Sequence, residues 1–531
     1  MSYIYMKILE RRPARYDAGI RRLSGQDWPA IREKILQGVK PGERVLEIGC
    51  GPGTLALELA RRGAQVLALD HNPEMLTYAR GQAAEAGVQV EFGKLPAEEL
   101  ARLQGRFDWV VASLSFSELR PIVRRAVLVW LRRLLKEGGR LVVVDEVVPE
   151  SAGAWWRYQL SRAWHGLLTW LRTRKTTRPL SDFQAELSEA GYRILCEETL
   201  APGNLRLWEA QPGEQDALPE PAVLSGGWGL SDWVESFFLW LSSHLLKVPF
   251  RPGLYRIGRP GPEAPLLATS NYRLTVNLVR KHLAGRDAWL LVNDTRGVNV
   301  WCSAGEGTFS AAEIALTLAA SRADRFVSHR QLILPKLCLN GVNRREVKER
   351  SGFRALIGPV YARDLPAYLD HSYEKTEVME QVHFNFWDRM WIGVPFTLLL
   401  VLVPGVLALG LGRWIRPTLP LWFALAGMLI AVSYTWLPTR RHLVKGLILG
   451  ALLAAAGGVY LFWQQAPGIR IGRSMALLLA LELFVTADFS GATPVSNRTL
   501  VEQEFKWIYI ILVILIVLYF ALPSLKEVWP W

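Results

Sequence analysis

The sequence predicts two α/β domains of Rossmann-like type followed by an all-α transmembrane bundle. Three observations carry this. An apolar, β-branched strand runs into a glycine-rich turn and then a helix over 45–62. A second strand, loop and helix occupy 288–292, 299–309 and 311–320. From Trp391 onward, long apolar runs recur. A soluble chain of 531 residues would divide into roughly three or four domains. The expected boundaries are 1–210 for the first α/β domain, 211–249 for a linker with an amphipathic helix, 250–385 for the second α/β domain and 386–531 for the membrane part.

In the first domain the strand Val45, Leu46, Glu47, Ile48 leads into Gly49, Cys50, Gly51, Pro52, Gly53 and Thr54. Glycines let the backbone approach a ligand closely, and the amino end of the following helix lies nearby. The next strand, 65–69, ends in Asp70, a carboxylate suited to gripping ribose hydroxyls. The turn alone would also suit a dinucleotide. With Glu47 and Asp70 it resembles the class I S-adenosylmethionine-dependent methyltransferases. That resemblance implies a site made by Glu47, Gly49, Gly51, Gly53, Asp70 and Ser113, the last ending a fourth strand over 107–113 and bordering the transferred methyl.

Gly138 and Gly139 precede a fifth strand at 140–144, and strands at 192–200 and 205–210 would finish the sheet. The segment 155–171 holds Trp155, Trp156, Trp164 and Trp170. It is open to three readings: a lid over the substrate pocket, a helix lying on a bilayer, or simple core. The opening residues 1–7, with Arg15, Tyr16 and Asp17, resemble methyltransferases associated with corrinoid proteins. Residues 211–221, rich in Pro and acids, read as a flexible linker. Trp233, Phe237, Phe238, Trp240, Leu241, Leu245 and Leu246 then form an apolar stripe that packs on the second domain or on a membrane surface.

The second domain carries Asn299, Val300, Trp301, Cys302, Ser303, Ala304, Gly305, Glu306, Gly307, Thr308 and Phe309 between a strand and a helix, at the carboxyl edge of a parallel sheet where cofactors bind. A lone Cys is usually an inert small hydrophobe. This run, however, resembles the cap-helix loop of the mercury-methylating corrinoid proteins, related to the corrinoid iron–sulfur protein of the acetyl-CoA pathway. Further matches in the same order span about 250–372, among them Gly253-Leu254-Tyr255, Arg350-Ser351-Gly352-Phe353 and Gly358-Pro359-Val360. The resemblance implies that Cys302 is the catalytic lower axial ligand of cobalt, with Asn299, Val300, Trp301, Ser303, Ala304, Gly305, Gly307 and Phe309 around the cobalamin-type corrinoid. Ser303 stands where the pattern has Ala, and Glu306 where it has Lys; the second reverses a charge and leaves the acceptor open. Cys50, Cys196 and Cys338 carry no metal-ligand spacing, and four scattered cysteines fit a reducing compartment.

The apolar runs cover 391–411, 419–437, 443–463, 474–485 and 507–522, against about 20 residues per membrane-spanning helix. Five spans are expected, the resemblance including Phe489-Ser490-Gly491-Ala492-Thr493-Pro494. Glu482 and Asp488 at membrane depth are candidates for a metal-ion path or a polar packing contact. Basic loops barely distinguish the two orientations; the need for S-adenosylmethionine and reduced corrinoid sets the soluble domains on the cytoplasmic side of a multi-pass membrane protein. A net charge of +13 without stacking or groove-reading motifs points to anionic lipid and away from nucleic acid.

These features predict a membrane-anchored methyltransferase that methylates cobalt and passes the methyl to a metal ion or small molecule. A ferredoxin-type iron–sulfur donor is its expected electron partner. Two readings compete: a methyltransferase acting on an unrelated small molecule beside a corrinoid domain charged from a folate donor, and a corrinoid-binding carrier or sensor without catalysis.

Overall fold

The structure is a computed structural model that describes the chain except residues 1–3, 5, 11, 24–27, 175, 201–202, 214–219, 411–418, 440, 492–503 and 515–531. Apolar strands alternate with helices in the amino-terminal half, and the strands collect into one sheet. In chain order they are β1 (Arg44–Ile48), β2 (Gln65–Asp70), β3 (Glu91–Lys94), β4 (Phe107–Ser113), β5 (Leu135–Glu146), β6 (Tyr192–Leu200) and β7 (Leu205–Pro212). Their spatial order is β3-β2-β1-β4-β5-β7-β6, with β7 antiparallel to both neighbours. The order reverses between β1 and β4, and open α/β sheets bind ligands outside the carboxyl ends at such a point. β5 starts earlier than the expected 140–144, because the chain pairs Leu135 with Phe107 and then kinks at Gly138, whose φ is +73°.

The second sheet is built from β8 (Val223–Leu224), β9 (Gly253–Ile257), β10 (Leu266–Ser270), β11 (Ala288–Asn293), β12 (Gln331–Leu334) and β13 (Arg354–Ile357). Its order is β13-β12-β10-β11-β9-β8, with β10 to β13 mutually parallel and β9 antiparallel to β11. Apolar clusters cover both faces, one around Phe309, Ile314 and Leu332, the other around Val276, Leu290 and Tyr368.

The two ends of the expected linker 211–221 are held in place. Gly213 is held through its carbonyl by Arg132, the Pro221 carbonyl accepts from Arg256 Nε at 2.9 Å, and β8 joins the second sheet. Residues 214–219 lie outside the described residues.

The two sheets are docked side by side. Helix Ala311–Ala320 packs along helix Pro121–Leu134, and Leu316 belongs to the buried cluster of the first domain. Arg120, just ahead of the first helix, bonds Glu313 at 2.5 Å and Asp294 at 3.2 Å. Arg133 near the other end faces Asp324 at 3.8 Å. The helices therefore run parallel, and the carboxyl edges of both sheets open on the same side.

Beyond that side lie the apolar helices Phe386–Gly410, Leu419–Ser433, His442–Trp463 and Gly468–Gly491. Among the described residues, His442–Trp463 alone is long and apolar enough to cross a membrane. Leu419–Ser433 has 15 residues, short of the expected 419–437 span. The fourth helix exceeds 474–485 but carries Arg470, Arg473, Glu482 and Asp488. Of the fifth run, 507–514 continue a helix from 504, and 515–522 lie outside the described residues. Glycines let His442–Trp463 and Gly468–Gly491 touch closely: a Cβ on Gly450 would stand 2.7 Å from Leu479 Cδ1, and one on Gly457 2.4 Å from Leu478 Cδ1. The stretch 230–246 joins the layers. Trp240 Nε1 donates to the Trp391 carbonyl at 2.7 Å, while Phe237, Phe238, Leu245 and Leu246 stay exposed.

Truncating Leu316 to Ala should remove about 2–5 kcal/mol of stability, the usual range for a buried Leu. Thermal unfolding of the full chain in detergent should show a midpoint several degrees lower; an unchanged midpoint would show that Leu316 is not part of a shared core.

Candidate functional site

The glycine turn after β1 is shaped by contact as well as conformation. Gly49 has φ +72°, and a Cβ there would lie 2.6 Å from Ser115 Cβ; Gly53 has φ +81°, and a Cβ would lie 2.8 Å from Ala79 Cβ. The Gly51 amide donates to Asp70 Oδ2 at 2.8 Å, and the Asn72 amide to Oδ1 at 2.8 Å. Burial opposes ionisation of Asp70, but the hydrogen bond from His71 and these two amides outweigh it and hold the carboxyl below its usual range. Asp70 therefore faces the turn as a carboxylate with lone pairs left for ligand hydroxyls.

Glu47 lies deeper. It is 2% exposed, accepts from the Ala56 amide, and its Oε2 has no partner among the described residues. Burial, with Asp70 close by, pushes it up to about 8. An orphaned buried oxygen under a cradle that side chains would fill fits a polar cofactor such as S-adenosylmethionine.

Ser113 ends β4 half-buried at the same edge. The loop beyond is fastened by Ser115, whose hydroxyl donates to the Ile48 carbonyl at 3.1 Å, and by Asp145, whose Oδ2 accepts from the Phe116 and Ser117 amides at 2.7 and 2.9 Å. Burial pushes Asp145 up to about 6. Glu118 ends the loop that follows the fourth strand and that the methyltransferase resemblance sets beside the transferred methyl, whereas long-range packing alone brings Asp145 to this edge. Tyr16, part of the segment that resembles corrinoid-associated methyltransferases, has its ring edge 3.8 Å from where a Gly51 Cβ would be. Asp17 accepts from the Thr54 hydroxyl, and Lys7 pairs with Glu118, so the amino-terminal helices Met6–Leu9 and Tyr16–Leu23 close over the mouth. Burial pushes Glu118 up to about 7 against the pull of Lys7, with Glu10 adding to the rise.

In the second domain the expected loop at 299–309 is mostly a helix, Val300–Glu306. The Asn299 side chain caps it by accepting from the Cys302 amide at 2.9 Å, and Gly307 ends it at φ +78°. Cap and stop residues two turns apart make the run helical where its mixed polarity suggested a loop.

Of the residues expected around the corrinoid, Asn299, Val300, Trp301 and Cys302, joined by Glu306, line a cavity of about 490 Å³. Ser303, Ala304 and Phe309 do not; they are buried underneath. Ser303 Oγ donates to the Asn299 carbonyl at 2.6 Å, and Ala304 rests on Gly341, where a Cβ would come 2.1 Å from its carbonyl oxygen. Gly305 and Gly307 are exposed at the far end of the helix and outside the cavity wall.

The cavity lies over the carboxyl ends of β10 and β12, near Thr269 and Pro335, and is closed from above by Trp240, His244 and Lys247 with Trp391 and Ile392 of the apolar bundle. Its volume is within the range of cofactor sites. Burial raises the Cys302 thiol; the Asn299 side chain and Lys247 oppose the rise, and Glu306 adds to it. An apolar chamber with one half-buried thiol fits a macrocyclic metal that needs a single protein ligand. Cys50 and Cys338 are buried, Cys196 is exposed, and among the described residues no group of three or more His, Cys, Asp or Glu could hold a metal ion.

Glu482 and Asp488 do not line this cavity. Glu482 is fully buried; its Oε1 accepts from the Thr486 hydroxyl at 3.2 Å, and its Oε2 has no partner among the described residues. Asp488 is exposed and within electrostatic reach of His244 in the cavity wall.

Residues 45–139 match the family described as methyltransferase domain, and 247–369 match CO dehydrogenase/acetyl-CoA synthase delta subunit. The first domain is accordingly an S-adenosylmethionine-dependent methyltransferase domain, and the second is related to corrinoid proteins.

The gamma subunit of the acetyl-CoA decarbonylase/synthase complex of Archaeoglobus fulgidus is 31% identical over 134 residues, 24% of this chain and 28% of that one. An uncharacterized methyltransferase of Synechocystis sp. is 27% identical over 180 residues, covering 33% and 77%. A ubiquinone biosynthesis O-methyltransferase of Xanthomonas axonopodis pv. citri is 43% identical over 115 residues, covering 21% and 47%. The chain thus spans under a third of the decarbonylase/synthase subunit and under half of the ubiquinone enzyme. A magnesium protoporphyrin IX methyltransferase structure from Synechocystis is 22% identical, with 35% of this chain and 83% of that one covered and a TM-score of 0.29.

Replacing Asp70 with Ala should weaken S-adenosylmethionine binding roughly tenfold to a hundredfold, the equivalent of about 1.5–3 kcal/mol for a charge-assisted bond. Calorimetric titration measures this, and unchanged affinity would exclude Asp70 from the site. Glu47 supplies a pH test. Its folded value of about 8 lies above the ordinary 4.5, so its burial costs nothing at low pH and grows costly as pH rises between those values. The ligand-free wild type should lose thermal stability relative to Glu47→Gln across that window, and a difference independent of pH would mean that Glu47 is not buried.

Proposed function

We propose that the chain is a membrane-anchored methyltransferase whose two α/β domains handle one methyl group. S-adenosylmethionine on the first domain donates to a cobalt corrinoid on the second, and the methyl passes on to a metal ion or small molecule. The observation that carries this reading is Cys302, whose amide is capped by the Asn299 side chain and which lines an apolar cavity on the side of the molecule where the methyltransferase mouth opens.

When bound, the corrinoid would supply a cobalt centre that takes a methyl from a sulfonium and yields it to a soft acceptor. Cys302 would hold the metal, and Val300, Trp301 and Thr269 would exclude water around it. Asp70 would fix the ribose of the donor, and Tyr16 would cover it. A cobalt centre that gives up its methyl as a carbanion equivalent would need two electrons per cycle to be restored, which a ferredoxin-type iron–sulfur donor would supply. The resemblance to mercury-methylating proteins runs from the Asn299 to Cys302 stretch through matches over about 250–372, and Glu306 in the cavity wall leaves the acceptor a soft metal or an organic molecule.

Membrane anchoring by the carboxyl-terminal helices is supported by helix His442–Trp463 and its close glycine contacts, typical of helices packed in lipid, and the need for S-adenosylmethionine and reduced corrinoid would set the soluble domains on the cytoplasmic side. Leu452, Val459, Phe462 and Trp463 face outward from it. A second reading, O-methylation of a small organic molecule by the first domain, is favoured by one observation: Glu118, pushed to about 7 beside the mouth, suits a general base that cobalt would not need.

Cys302→Ala should change the visible spectrum of protein-bound cobalamin and abolish methyl delivery, while S-adenosylmethionine binding by the first domain stays intact. Identical spectra in wild type and variant would remove the thiolate from the metal.

A further inference from the structure

The helix Ala152–Thr173 leaves a long apolar face without a partner inside the molecule. Trp156, Leu160, Trp164, Leu167 and Leu171 follow at spacings of three and four and are 63%, 69%, 63%, 53% and 56% exposed. The opposite face is tied down: Tyr158 donates to Glu146 Oε1 at 2.9 Å, and the Thr169 hydroxyl donates to the Ile4 carbonyl at 3.5 Å. The core reading of these tryptophans is therefore corrected, and the stripe points away from the domain.

Two further observations say what covers it. The first is charge. Residues 152–180 contain Arg157, Arg162, Arg172, Arg174, Lys175 and Arg178 and no Asp or Glu. Arg157, Arg172 and Arg174 are exposed, and the Arg174 guanidinium lies 4.1 Å above the Trp170 ring, so cations flank the apolar stripe. The second is position. The helix follows β5 and crosses the carboxyl edge of the first sheet beside Met6–Leu9. Arg120 aligns that edge with the carboxyl edge of the second sheet, and the apolar bundle begins directly above the latter, at Trp391 and Ile392. The tryptophan face and the bundle are thus on the same side of the molecule.

We infer that helix Ala152–Thr173 lies in the plane of an anionic lipid bilayer, its Trp156-to-Leu171 face sunk at the headgroup boundary and its arginines on lipid phosphates, so that the methyltransferase mouth is presented to the membrane surface. A helix with Trp and Leu on one face, arginines beside them and no acid has the composition of an interfacial segment. The inference rests on the membrane reading of the bundle, and its failure is distinguishable from the failure of that reading.

The test uses the full chain carrying Cys196→Ser and Cys302→Ser, reconstituted in phosphatidylcholine vesicles with phosphatidylglycerol. An environment-sensitive fluorophore is attached at Leu160→Cys or, as the bundle reference, at Val459→Cys. At both positions the emission should shift to the blue, doxyl-labelled lipid should quench it, and iodide should quench it several-fold less than in the denatured chain. Leaving out phosphatidylglycerol should loosen position 160 several-fold and leave 459 unchanged.

A buried 459 with a 160 open to iodide overturns the interfacial helix while the bundle stands. Both positions open to iodide overturn both readings. A 160 shielded from iodide but untouched by doxyl lipid means that a second copy of the chain covers the face, which also overturns it. Insertion at 160 that ignores headgroup charge overturns the role given to the arginines.

Discussion

The contact on which the rest of the arrangement depends is the parallel packing of helix Ala311–Ala320 on helix Pro121–Leu134, closed at one end by Arg120 between Asp294 and Glu313. Because both helices leave the carboxyl edges of their sheets in the same direction, this one contact sets the glycine turn of the first domain and the Cys302 helix of the second on a common side. Arg120 follows the loop that Asp145 fastens beside the donor site. Asp294 adjoins Thr295, which shares Asn271 as a partner with Gly297, just ahead of the Asn299 cap. A single guanidinium thus stands between the loops that lead to the two candidate sites.

This rigid docking changes the way two sites could share a methyl group. A free tether would let the domains meet by diffusion at high effective concentration. Here Leu316 sits in the first domain's core and Arg132 grips Gly213. Communication between the sites is therefore a matter of local motion at the shared edge. The amino-terminal helices close the mouth through polar contacts at Asp17 and Lys7 and through Met6 and Ile20, which are buried in the first domain's core. On the other side, Trp240 and Trp391 roof the Cys302 cavity, so access there depends on how the stretch after β8 meets the bundle.

Much of the fold was legible because local signals are strong where a strand meets a turn. The fourth strand at 107–113 and the helix at 311–320 were read to the residue, since buried strands and capped helices announce their own limits. The placement of Asp70 beside the glycine turn and of Cys302 after β11 was legible from spacing and motif. The closure by Tyr16 and the anchoring by Asp145 were not, because each depends on contacts between residues far apart in sequence. Periodicity marked the tryptophan stripe of Ala152–Thr173 but could not say which way it faced; the hold of Glu146 on Tyr158 decides that. The reading of 299–309 as a loop failed because the Asn299 cap outweighs the low helix propensity of a short, glycine-containing run. Nothing in the sequence announced that the two domains dock through Leu316, an ordinary apolar position on an ordinary helix.

The central claim is that a methyl group moves from the first domain to a metal held by the second. The most direct measurement incubates the purified full chain with reduced cobalamin and methyl-labelled S-adenosylmethionine, then separates the corrinoid. The account predicts label with the corrinoid in the wild type, none in Cys302→Ala, and in Asp70→Ala labelling slowed roughly tenfold to a hundredfold at limiting S-adenosylmethionine. Label appearing only on an organic acceptor, with the corrinoid unlabelled throughout, would contradict it.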